Sequence, residues 1–152
     1  MHIGAYISLT HQGEEDLAKA FHYVAERHRA EPDIFGTCKM LAGWSEQLNK
    51  ELQPMVEKYR EENNSEADRL LNAFFETKRK GGLALLQDLQ DLWLMANEAM
   101  ISSIILRQAA SGLRDETLMT LCDEIQQRSE RQAAWLLTRI KSSATQTLIA
   151  AD

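Results

Sequence analysis

The 152-residue chain carries 17 Lys and Arg against 23 Asp and Glu, a net charge of −6, with 44% apolar and 26% charged residues, seven Gly and two Pro. That length suits one domain whose core buries about 70% of the unfolded surface, and the composition excludes disordered and collagen-like classes while the scarcity of breakers favours helices. The acidic balance leaves no positive field for phosphate backbones or anionic lipid, so neither nucleic acid nor membrane is expected as a partner.

The densest basic run, Lys78-Arg79-Lys80, holds three charges ahead of Gly81-Gly82 and reads as a charged helix end. Cys38 and Cys122 fall on separate predicted helices with no Cys-x-x-Cys, so reduced, buried thiols are expected. The first ten residues lack a basic stretch followed by an apolar one, so no secretory signal is expected. The most apolar stretch, residues 92–110, contains Asn97, Glu98 and Arg107, which a lipid-facing span would rarely hold. A cytoplasmic protein is the expectation.

In chain order, the spacing predicts a first helix over 14–29, where Leu17, Ala20, Phe21, Val24 and His28 share one face. Acids at 14–16 and Arg27 and Arg29 complement its dipole. A second helix is predicted over 33–60, opened by Pro32 and Asp33. Its stripe of Ile34, Cys38, Leu41, Ser45, Leu48, Leu52, Met55 and Tyr59 alternates steps of four and three, the repeat of helices packed side by side. Pro54 removes a backbone donor and predicts a kink in the last third.

Residues 61–82 read as a long connection. Ser65 to Asp68 match a capping box before Leu70, Leu71, Phe74 and Phe75, so a short amphipathic helix is predicted over 66–79. A third helix over 83–111 puts Leu85, Leu89, Leu92, Ala96, Met100, Ser103 and Ala110 on one face. Its back turns apolar at Leu94, Ile101 and Ile105, which requires cover from the connection, from a second copy of the chain, or from both. A fourth helix over 115–142 aligns Leu118, Cys122, Ile125, Ser129, Gln132, Leu136 and Ile140. The tail over 143–152 gives no clear signal of order.

Two tight hairpins joined by a long link between the second and third helices resemble the ferritin-like superfamily over residues 14–142. The stretches from Val24 to Ile34 and from Leu85 to Ala96 are also similar to those of small bacterial ferritin-like proteins without an assigned function. The resemblance implies an all-α, four-helix bundle of a single domain, 1–152, with a long crossover containing a short helix. It also implies a possible di-iron layer, which needs a Glu from two helices and Glu-x-x-His from the other two.

No Glu here has His at i+3, and all four histidines precede the second helix. A weaker constellation remains: Glu26, Glu46, Glu98 and Glu124 place one carboxylate on each helix, with His28 nearby. Glu46 with Asn49 and Glu124 with Gln127 resemble eroded Glu-x-x-His pairs. Their phase, with Glu26 away from its stripe and Glu46 and Glu124 at the bundle seams, and the poor fit of amides to iron argue for solvated or seam carboxylates instead.

His28 lies on an apolar stripe and reads more readily as a residue bonded to a carboxylate or carbonyl than as a ligand. Ser45, Asn49, Ser103, Ser129 and Gln132 project near the core and predict a polar layer, either fixing helix register or lining a small-ligand cavity. Trp44, Trp93 and Trp135 fit seams between helices. No nucleophile with a base, phosphate loop or Cys/His cluster stands out.

The expected function is therefore non-enzymatic: a homo-oligomeric interaction or stress-related protein with no cofactor and an interface at Leu94, Ile101 and Ile105. In an antiparallel pairing of two copies of that face, Glu98 would come near Arg107 of the other copy. A carboxylate-bridged oxidoreductase or metal-storage protein using iron or another divalent metal is one alternative. A small-ligand binder using the polar layer is the other.

Overall fold

The computed structural model describes residues 1–60, 75 and 81–150. They form four long helices: α1 (Ile3–Arg27), α2 (Pro32–Lys58), α3 (Gly81–Gly112) and α4 (Glu116–Thr145). A π-helical turn, Gln146–Ala150, continues α4, and no strand occurs among the described residues. The helix predicted over 66–79, and with it Leu70, Leu71 and Phe74 as cover for the third helix, lies outside the described residues. Phe75 is described, and its ring meets Tyr23 of α1 edge-on at 5.4 Å between centroids.

The largest departure from the sequence reading is α1, which starts at Ile3 and not near residue 14. The reason is periodic: Ile3, Ile7, Thr10, Glu14, Leu17, Phe21 and Val24 alternate steps of four and three, and all are buried. Eleven more residues thus carry the same inward face. The tail also differs, since α4 and its π-helical turn keep residues 143–150 helical.

Helix α2 opens with Pro32 in its first turn, where the missing N–H leaves no bond unmade, and it runs through Pro54 to Lys58. Asp33 does not cap it; its carboxylate accepts from Arg139 Nε of α4 at 2.7 Å. Helix α4 is capped by Asp115, which accepts from the Leu118 N–H at 3.1 Å.

Two apolar clusters make the core. One joins Leu17, Phe21, Ile34, Leu41, Leu89, Leu92 and Leu136, and the other Ile3, Ile7, Leu48, Leu52, Leu106, Leu118 and Ile125. Burial of each such large side chain is worth about 1.5–3 kcal/mol. The membership also fixes direction: α1 and α4 run from the second cluster to the first, and α2 and α3 run back. Each helix therefore packs on antiparallel neighbours, α1 on α2 and α3, and α4 closely on α3 with a thinner seam to α2. Helix α2 ends and α3 begins at opposite ends of this arrangement. No helix among the described residues is long and apolar enough to cross a membrane.

Candidate functional site

Between the two clusters every helix turns polar at the same level. Thr10 and Glu14 of α1, Ser45 of α2, Ser102 and Ser103 of α3, and Ser129 and Gln132 of α4 are all buried there. The sequence-predicted layer of Ser45, Asn49, Ser103, Ser129 and Gln132 thus exists as a belt, with Asn49 at its margin. Gln132 Nε2 donates to the Leu41 carbonyl at 3.1 Å and to Ser45 Oγ at 2.9 Å, tying α4 to α2. Asn49 Nδ2 donates to the His11 carbonyl at 2.9 Å, tying α2 to α1. Thr10 and Ser103 spend their hydroxyls on carbonyls of their own helices, Tyr6 and Met100.

Glu14, which the sequence reading assigned to a helix start, is the chemical centre of this belt. Its side chain is fully buried and neither carboxyl oxygen has a hydrogen-bond partner. Burial raises its pKa from 4.5 to about 7; Ser45 pulls weakly the other way without reaching ordinary hydrogen-bond geometry. Ser129 Oγ and Gln132 Oε1 are likewise buried and unpartnered. Thus the belt's unsatisfied atoms are all oxygens.

Two other buried carboxylates are fully engaged. Asp88 of α3, buried beside the first cluster, meets His28 Nε2 at 2.7 Å and Arg27 Nε at 3.4 Å. His28 thus has the carboxylate partner that its place on the stripe leads one to expect, although the sequence did not single out which acid. At the other end Asp115 accepts from Lys58 Nζ at 2.7 Å, Tyr59 Oη at 2.6 Å and the Leu118 N–H. Burial opposes its charge, but these donors outweigh it and hold the pKa down to about 2.

The four carboxylates considered as metal ligands do not converge. Glu26 is exposed and paired with Lys39 Nζ at 3.0 Å, which lowers its pKa. Glu46 is exposed and meets His22 Nε2 at 2.5 Å. Glu98 is half-buried on α3. Glu124 faces Glu51 across the α2–α4 seam, where burial and then this neighbouring acid raise its pKa. Among the described residues no group of three or more His, Cys, Asp or Glu side chains could hold a metal ion.

The other feature singled out in the sequence lies on the opposite side of α3. Leu94, Ile101 and Ile105 are 42%, 50% and 46% exposed, on a helix whose inner face is also apolar. Ile105 continues into an apolar groove of about 410 Å³ formed with Met1, Ile3, Tyr6, Ala109 and Leu113. Arg107, the residue expected to reach Glu98 of a second copy, is held at 2.8 Å by Asp123 of its own chain. Trp44, Trp93 and Trp135 are half-buried against the first cluster, and the Arg128 guanidinium lies 4.8 Å above the Trp44 ring.

Against this geometry, no protein-family model, no curated protein and no solved structure matches the chain.

Proposed function

We propose that the protein is a ferritin-like helical bundle without enzymatic activity that works as a homo-oligomeric interaction protein, using the outer face of α3 as its interface. The observation that carries this reading is the solvent-facing row of Leu94, Ile101 and Ile105, continuous with the groove at Ile105. A row on one helix is self-complementary under a two-fold axis. Leu94 and Ile105 stand about 16 Å apart along α3 at 1.5 Å per residue. An axis crossing midway seats Leu94 of one copy against Ile105 of the other, and Ile101 beside the aliphatic stem of Glu98.

The ferritin-like part of the reading is supported by the helix directions, α1 and α4 running one way and α2 and α3 the other. Its non-enzymatic part is supported by the chemistry of the belt. Ser129 and Gln132 occupy i and i+3 on α4, the spacing of a Glu-x-x-His pair, and Ser45 takes the inward position on α2. Hydroxyls and an amide around one carboxylate do not suit a pair of iron ions, which needs several carboxylates and imidazoles.

Sedimentation velocity tests the reading. The wild-type chain is expected to sediment as a dimer at tens of micromolar, and the double variant Ile101→Glu, Ile105→Glu as a folded monomer. A wild-type monomer at all concentrations would reject the interface.

A further inference from the structure

The oxygens of the belt call for a guest of particular chemistry. Gln132 has committed its amide nitrogen to the Leu41 carbonyl, an obligate acceptor, and to Ser45 Oγ. The orientation of the amide is therefore fixed, and its Oε1 is left buried with no donor. One turn earlier on α4, Ser129 Oγ is buried and unpartnered. On α1 the Glu14 carboxyl adds two more buried oxygens with no donor. Four orphaned oxygens on two helices, with Ser45 bridging toward both, are far more than a well-packed core leaves unsatisfied.

We infer that the belt is a binding site for one small monovalent cation of the sodium, potassium or ammonium class, held by the Glu14 carboxylate, Gln132 Oε1 and Ser129 Oγ. A cation supplies the electropositive partner that the acceptor-only Glu14 carboxylate and Gln132 Oε1 lack, Ser129 Oγ can add a lone pair, and one positive charge balances the single carboxylate. Hard monovalent ions take neutral carbonyl and hydroxyl oxygens readily. A divalent ion would leave a net charge at this level, where Glu14 is the one wholly buried acid among the described residues; the Glu51–Glu124 pair, with Glu51 Oε2 also buried and unpartnered, lies on the α2–α4 seam among second-cluster residues. The other side chains of the layer, Thr10, Ser102 and Ser103, are neutral, and no charged side chain contributes to the shift on Glu14. The inference is independent of the α3 interface, and its test leaves that face untouched.

The test is thermal unfolding of the full chain at pH 8 in NaCl, KCl or NH4Cl, each against choline chloride at equal ionic strength. A site with about 10 mM affinity raises the midpoint by about 4 °C at about 100 mM salt, and the rise saturates. At least one of the small cations is expected to do this with the wild-type chain. Glu14→Gln is expected to abolish the difference from choline, and Ser129→Ala, which keeps the charge, to weaken the ion's half-saturation several-fold. Equal midpoints in all four salts would overturn the proposal, leaving water as the belt's guest. A cation-specific rise that survives in Glu14→Gln, or that is unchanged in Ser129→Ala, would overturn it as well.

Discussion

Glu14 and Asp115 are both buried carboxylates on helices of the same molecule, yet they are held at opposite ends of the carboxylate range. Asp115 stands at a helix start, where the Leu118 N–H donates to its Oδ1, and the C-terminal end of α2 brings Lys58 and Tyr59 to its Oδ2. Glu14 stands in mid-helix, where every backbone N–H is already committed, and neither of its carboxyl oxygens has a hydrogen-bond partner. Depth alone does not set the outcome. The supply of donors does, and helix termini have them while helix middles do not.

The strongest way to break the contrast is to remove the well-supplied acid. Asp115→Ala deletes a cap and two charged hydrogen bonds and leaves the Tyr59 hydroxyl and the Leu118 N–H to find water. A loss of about 4 kcal/mol is expected in urea unfolding at pH 7. A loss below about 1 kcal/mol would mean that the hub contributes little.

The second test uses pH, because the two acids have opposite signs. Glu14 has a folded pKa above its ordinary 4.5, so its contribution is fully present below pH 4.5 and is lost as pH rises through about 7. Asp115 has a folded pKa below its ordinary 3.8, so its contribution is present above that value and is lost as pH falls through about 2. In choline buffers Glu14→Gln is expected to be more stable than wild type by about 3 kcal/mol at pH 8 and indistinguishable near pH 4.5. A gain of the same size at both pH values would be a packing effect and not titration.

A finer cut on the Asp115 side is Tyr59→Phe, which removes one donor of three. The expected cost is about 1.5 kcal/mol at pH 7, shrinking below pH 2 as the acceptor is protonated.

Much of this was legible in the chain. The stripes of α2, α3 and α4 read directly because their inward positions keep step through the polar residues Ser45, Ser103, Ser129 and Gln132, and Leu94, Ile101 and Ile105 stood out as a second apolar face on one helix. Ser45, Ser129 and Gln132 were visible as polar residues in core register. Glu14 was not, although it is in phase with Ile7, Leu17 and Phe21. Three consecutive acids at 14–16 look like the first turn of a helix, and Gly4, Gly13, Thr10 and His11 weaken the periodic signal before them. The carboxylates at 46 and 124 attracted notice through i, i+3 spacing, but phase decides burial: Glu46 is exposed beside His22, and Glu124 lies at the α2–α4 seam facing Glu51. Asp88 lay next to Leu89 among several polar residues, and only the approach of His28 from α1 distinguishes it.

The titration of Glu14 itself is the sharpest measurement. With a carbon-13 label in the glutamate carboxyl groups and Glu14→Gln to assign the resonance, its chemical shift followed from pH 3 to 9 in choline buffer is expected to give a midpoint near 7. A midpoint near the ordinary 4.5 would place this carboxyl among donors or in water, and the lone acid at the centre of the belt would not exist.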